Sequence, residues 1–228
     1  MLKIDIKQKQ FALSLKKGKN FAENSIYTIY RSLHVMQTKL TTMLNAIDEI
    51  NAQDPNKIVI AGQLQPKELI YGQRMTACLN QYWLNSDEIL QIAVRAQHIK
   101  RWHIKRNEFA LGKAGYYQWR IALGKYHAQL TSSLMLNNCY SETEAQATAA
   151  IIRKENIKTN HNSQTLEDVA CLVFLQHYFN DFAKKHHDEK VIRILQKTWG
   201  KMSPKGQKIA LELTLSDHLS TLLTKALT

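Results

Sequence analysis

Apolar residues recur at intervals of three and four along most of this chain. Between Ser25 and Asn51 they fall at Ile26, Ile29, Leu33, Met36, Leu40, Met43, Leu44, Ile47 and Ile50, one stripe on a helix of 3.6 residues per turn. No convincing run of strict alternation competes with that pattern. The 8 glycines and 3 prolines are too few for the tight turns of an all-β fold. The pattern predicts an all-α protein, a compact bundle of about seven or eight helices around one core. A chain of 228 residues, 44% hydrophobic, suits one domain with an N-terminal addition. We set a basic N-terminal extension, helical in its later part, over residues 1–38 and a single all-helical domain over 39–228.

Punctuation residues divide the domain. Asp54-Pro55-Asn56 ends the first long helix, because a proline disfavours α geometry in the residue before it. Lys57 to Gln65 reads as a connection, and Pro66 fits the first turn of a helix running through KELIYGQRMTACLNQYW. Ser86 is the expected cap of a helix from Asp87 to about His103, followed by a loop over 104–112. A long helix follows from about Lys113 to Asn137. Gly124 lies inside it, and close helix packing is the usual reason for such a glycine. Ser141 and Glu144 form a capping box, and residues 156–163 read as polar loop. Further helices are expected from Leu166 to about Lys185, from His187 or Asp188 to Trp199, and from Ser203-Pro204 to near the C-terminus.

The 31 Lys and Arg outnumber the 19 Asp and Glu, a net charge of +12. That balance suits anionic partners, a small molecule or nucleotide or nucleic acid, and equally suits plain solubility. Six lysines and one aspartate in residues 1–20 read as a solvated arm or a short amphipathic segment. Cys78, Cys139 and Cys171 are far apart, as expected of packing thiols in a reducing compartment. No apolar run reaches the roughly 20 residues of a membrane span, and no signal-peptide pattern opens the chain. The expected location is cytoplasmic, without a membrane partner.

Polar residues inside apolar helical sequence are the functional candidates. In IAVRAQHIKRW (Ile92–Trp102), read as the middle of an apolar helix, Arg95, His98 and Trp102 are expected to share one helix face. A buried histidine is commonly a hydrogen-bonded core residue. With His127 and Asp168, however, His98 makes a candidate divalent-metal site, two imidazoles and a carboxylate, that would activate water. Asp168 has a structural alternative: three residues after Thr165, it could cap a helix. Arg74, Arg95, Arg101, Arg120 and Arg153 lie in or beside apolar helices. Each needs a carboxylate, from Glu68, Glu155, Glu167, Asp168 or Asp181, or faces a cleft where it would hold phosphate. Trp102 and Trp119 read as core aromatics or base-stacking platforms. KMSPKG (Lys201–Gly206) has the look of a synthetase phosphate loop, yet the chain has no HIGH tetrapeptide and no strand-turn-helix unit.

Six blocks in order, ELIYGQRM (Glu68–Met75), RAQHIKRW (Arg95–Trp102), AGYYQWR (Ala114–Arg120), RKE (Arg153–Glu155), TLEDVACLVFLQHYF (Thr165–Phe179) and KTWGKMSPKG (Lys197–Gly206), resemble an uncharacterised all-helical family of domains of unknown function, from about Leu40 to about Leu211. More distantly, the layout is similar to the HD-type metal-dependent phosphohydrolases. That resemblance implies an HD-like bundle with His98 at the histidine of the His-Asp pair and Asp168 at the late aspartate. Ile99 replaces the paired aspartate, Arg74 or its neighbours occupy the region of the first histidine, and His127 would substitute a ligand. Two functions are then expected. One is a metal-dependent phosphohydrolase with a nucleotide-like substrate, in which Glu167 and Asp168 act in catalysis and the five arginines hold phosphate. The other is a non-catalytic helical module that binds a nucleotide or nucleic acid through an arginine-lined cleft.

Overall fold

The first described helix, α1 (residues 39–51), carries Met43 and Ile47 fully buried on the expected stripe. The computed structural model describes residues 39–227, and from residue 42 onward these form one compact unit. The expected extension over 1–38, its basic arm and the helical pattern from Ser25 to residue 38 lie outside the described residues. The fold is all-α, as the periodicity predicts, with one small antiparallel hairpin among the described residues.

That hairpin, β1 (Lys57–Ile60) and β2 (Gln63–Pro66), replaces the expected connection. Lys57 pairs with Pro66 and Ile60 with Gln63, and Ala61 and Gly62 turn the chain with φ of +48° and +80°. Asp54 links the two ends of this unit. One of its carboxylate oxygens accepts from Asn56 N at 2.9 Å, the other from Glu68 N at 3.0 Å. It therefore supplies the start of α2 (Lys67–Tyr82) with an acceptor that Pro66, the residue before that helix, does not provide.

Helices α2 and α3 (Glu88–Ala96) pack closely at Gly72, where a Cβ would stand 3.0 Å from the Arg95 carbonyl oxygen. Asp87, not Ser86, caps α3, accepting from Leu90 N at 2.8 Å, while Ser86 Oγ donates to the Trp83 carbonyl. The helix stops at Ala96, seven residues short of the expectation. Lys100 adopts left-handed backbone, φ +50°, with its N–H on Asn51 Oδ1 at 2.9 Å, and a 3-10 turn follows at Arg101–His103. Arg95, His98 and Trp102 consequently do not share one helix face.

Helix α4 (Gly112–Asn137) spans the expected range, and the Ser141–Glu144 capping box opens α5 (Glu142–Ile152). The next helix, α6 (His161–His177), begins earlier than expected, because Asn160 Oδ1 accepts from the N–H groups of Asn162 and Ser163. Thr165 is therefore inside the helix and not its cap. Chain continues through α7 (Phe179–Ala183), α8 (Asp188–Trp199), α9 (Pro204–Leu211), capped by Ser203 as expected, and α10 (Asp217–Leu227). The expected single last helix is thus two. The core gathers around α3 and α6, whose Ile92, Ala93, Val94, Leu166, Val169 and Leu172 are all fully buried. Helices α2 and α5 pack against both, α4 packs on α5, and α9 packs on α6. No described helix is long and apolar enough to cross a membrane.

Candidate anion-binding cleft

Five segments bring polar side chains to one place: α2, the turn after α3, α4, the end of α5, and the start of α9's approach at Lys201. Glu68 and Tyr71 occupy the same face of α2, one turn apart. His98 stands opposite them because α3 has already ended. Its Nδ1 lies 3.1 Å from Glu68 Oε2, and its ring stacks on Tyr71 with centroids 4.0 Å apart. Tyr71 Oη donates to Gln97 Oε1 at 2.7 Å, fixing the neighbouring residue. The left-handed turn at Lys100 then brings Arg101 back over the site. Its Nε is 3.9 Å from Glu68 Oε1, and its guanidinium lies 4.8 Å from the Trp119 ring centroid on α4. Trp119 is itself fixed by donating to the Ile104 carbonyl at 3.0 Å.

Two cavities of about 310 and 370 Å³ meet here and share Gln97, His98, Arg101, Arg120 and Lys154. Lys67 and Lys201 line the larger one. Lys154 reaches the cleft from a left-handed position, φ +57°, just past the end of α5, and it pairs with Glu167 on α6. Lys201 completes that group 3.5 Å from the other Glu167 oxygen.

Electrostatics follow from burial and this excess of cations. Burial raises the Glu68 carboxyl, and Arg101 works against the rise. Burial, then Arg101 and Arg120, hold His98 well below the usual histidine range, so its imidazole is neutral. A neutral ring that donates Nδ1–H to the Glu68 carboxylate leaves Nε2 as a base. Arg101 is lowered by burial and by Arg120. Burial alone would raise Glu167, but Lys154 and Lys201 outweigh it and hold the carboxyl low. His127 is 2% exposed, its ring centroid 6.2 Å from that of His98, and neither ring nitrogen has a hydrogen-bond partner of normal geometry.

The structure brings together His98, His127, Arg101, Arg120 and Glu167 from the expected set, with Arg153 at their rim, and it engages the others elsewhere. Arg95 is bound in bidentate fashion to Asp48, with Nε on Oδ1 at 2.7 Å. Arg74 lies over the Tyr178 ring at 5.2 Å. Arg153 pairs with Glu155 at 2.6 Å on the rim of the smaller cavity. Asp168 accepts from Ser203 N at 2.8 Å, from Ser203 Oγ, and from Gln164 Nε2 at 3.0 Å. Its oxygens anchor the start of α9. The expected His98, His127 and Asp168 ligand set is not assembled, and among the described residues no three His, Cys, Asp or Glu side chains form a metal-binding group. Sequence reasoning gave Glu68 only the part of an arginine partner and passed over Tyr71, Gln97, Lys154 and Lys201. Spacing could have flagged Glu68 with Tyr71. Nothing local signals Lys154, whose direction depends on the left-handed residue itself.

Comparison with curated proteins and with solved structures finds no match. The sequence model of a family described as a domain of unknown function, DUF4202, matches residues 41–223, and these take in every residue of the cleft; the chain belongs to that family.

Proposed function

We propose that the cleft binds a phosphorylated, nucleotide-like small molecule and hydrolyses its phosphate ester. One observation carries this reading: Lys67, Arg101, Arg120, Lys154 and Lys201 line a single cavity, while among the described residues only Glu68 and Glu167 pair with any of them. Arg101 and Lys154 are half-buried and Lys67, Arg120 and Lys201 exposed, and this concentration of positive charge in one concavity attracts an anion. Two guanidiniums side by side match phosphate oxygens in fork geometry. Lys154 and Lys201 are already tethered by Glu167, so Arg101 and Arg120 are the natural phosphate ligands.

His98 is the proposed base. Water forms a bond to phosphorus as it loses a proton to His98 Nε2, the ester P–O bond breaks, and the leaving oxygen is protonated from solvent. Glu68 orients the ring and stabilises the imidazolium once it forms. Burial and, after it, the neighbouring arginines weaken this base, and a bound phosphate dianion, neutralising the arginines, recovers the part of its basicity that they remove. A second reading adds a divalent metal beside the two imidazoles. The ring nitrogens of His127, without a hydrogen-bond partner of normal geometry, favour it, and Asp168, bound to Ser203, would not be among the ligands.

The test is a panel of phosphate esters assayed with wild type and His98→Gln, alongside the metal content of untagged protein and its His98→Ala variant. Turnover lost in His98→Gln with binding retained is expected, with a drop of about 100-fold or more for removal of a general base. Phosphate binding with no turnover on any ester would leave a non-catalytic binding module. Near-stoichiometric metal that His98→Ala loses would establish the metal-dependent form.

A further inference from the structure

Gly124 does not serve helix packing, contrary to the expectation from sequence. A Cβ built there would meet nothing within 4 Å, whereas one at Gly115 would strike the Ala110 backbone and one at Gly206 the Asp168 carboxyl group. Gly124 instead lines the 310 Å³ cavity. This compartment shares Arg101, Arg120 and Lys154 with its neighbour, and α4 and α5 extend it away from them with apolar wall. Tyr117, Ile121, Leu123 and Ile152 give it apolar walls, and Tyr117 and Ile121 remain 53% and 59% exposed. Large apolar side chains left open to water beside a phosphate-sized cluster of cations suit a ligand with an uncharged, flat second half. Gln97 lines both compartments, and its Oε1 is occupied by Tyr71, which leaves its amide N–H groups to meet a polar ring edge.

We propose that the ligand is bipartite, its phosphate held by Arg101 and Arg120 and a heteroaromatic ring laid over Gly124 between α4 and α5, so that Gly124 admits the ring. This rests on the phosphate reading of the same cleft. A ring suits the space better than a long acyl chain. The compartment is close to the lower limit of small-ligand sites, about 300 Å³, and its rim carries Lys125, Arg153 and Glu155.

Calorimetric titration of the full chain with the four common nucleoside 5′-monophosphates and with ribose 5-phosphate tests the proposal; if turnover intervenes, all titrations are made in the His98→Gln background. At least one nucleotide is expected to bind about tenfold or more tighter than ribose 5-phosphate, the scale of one base stacked on an aromatic side chain. Gly124→Leu should remove that preference and leave ribose 5-phosphate within about twofold of wild type, since only the ring compartment is filled. Both Gly124→Leu and Gly124→Ala should melt no lower than wild type, because the added side chain enters open space. The proposal is overturned if nucleotides and ribose 5-phosphate bind alike, if Gly124→Leu keeps the preference, or if Gly124→Leu lowers the melting temperature. Ribose 5-phosphate binding that Arg120→Ala weakens, without any ring preference, sinks only this inference. Binding of none of the probes sinks the phosphate reading with it.

Discussion

His127 shows most directly what burial does to a single residue here. Burial, then His98 and Arg101, push its pKa down to about 3, and the backbone of Ile99 and the Glu68 carboxylate recover only part of the loss. In the unfolded chain the same ring titrates near its ordinary value of 6.5. Between those values the unfolded state binds the proton and the folded state does not. The stability tied to His127 is therefore complete above about pH 6.5 and is lost as pH falls towards 3, by at most about 1.4 kcal/mol per pH unit. His98, also lowered, adds to this acid sensitivity, while Glu68, raised by burial, acts in the opposite sense because its folded form takes up a proton first. His127→Gln keeps a polar side chain but removes the titration. Urea unfolding from about pH 7 to pH 5 should show the variant losing about 2 kcal/mol less than wild type over that range. Equal acid slopes in the two proteins would mean that His127 is not buried neutral.

At the scale of elements, two glycines make opposite predictions. Gly206, in the first turn of α9, lies against the Asp168 carboxyl group of α6, where a Cβ would stand 2.7 Å from Cγ. That carboxylate also accepts from Ser203 N and Oγ, so the joint between α6 and α9 depends on the close approach. Gly206→Ala should destabilise by about 1–3 kcal/mol through overpacking. Gly124→Ala, in open space on α4, should stabilise by up to about 1 kcal/mol, as helix propensity alone dictates. Denaturant midpoints for the pair measure both, and Gly206→Ala as stable as wild type would refute the joint. The same elements mark what was legible in sequence. Helices α4, α5 and α8 were readable because their signals are local, and for α5 the capping box at Ser141 is a four-residue one. The hairpin was not, since each strand has four residues and Val59 and Leu64 face solvent. The end of α3 was not, because Lys100 turns only where Asn51, distant in sequence, can accept its N–H. His98, His127, Arg101 and Arg120 were readable as polar residues in or beside apolar helical sequence, although Arg120 is exposed. Their meeting with Glu68 and Lys154 was not, because it depends on left-handed residues at Lys100 and Lys154 rather than on spacing.

For the whole molecule, the open matter is whether the net charge of +12 serves the cleft or a polyanion spread over the surface. The two differ in how salt acts. A polynucleotide neutralised at several surface lysines releases many counterions, and with six or more phosphate contacts it loses roughly 1,000-fold or more in affinity between about 50 and 200 mM salt. A small phosphate held by Arg101 and Arg120 exchanges few ions, so pyrophosphate binding should weaken by less than about tenfold over that range. Arg120 separates the two further. It is exposed, and among the described residues no carboxylate pairs with it, so Arg120→Ala should leave the fold unchanged while weakening pyrophosphate by about tenfold, the loss of one charge-assisted contact. For a DNA duplex of about 20 base pairs the same substitution removes one contact among many and should cost no more than about threefold in moderate salt. Calorimetry with both probes across a salt series reads all four quantities. A duplex that Arg120→Ala weakens as strongly as pyrophosphate, with a steep salt slope, would place a nucleic-acid backbone in the cleft itself and displace the small-ligand reading. A shallow slope for pyrophosphate and selective loss in Arg120→Ala would assign the cleft to a small phosphorylated molecule, whatever the rest of the basic surface attracts.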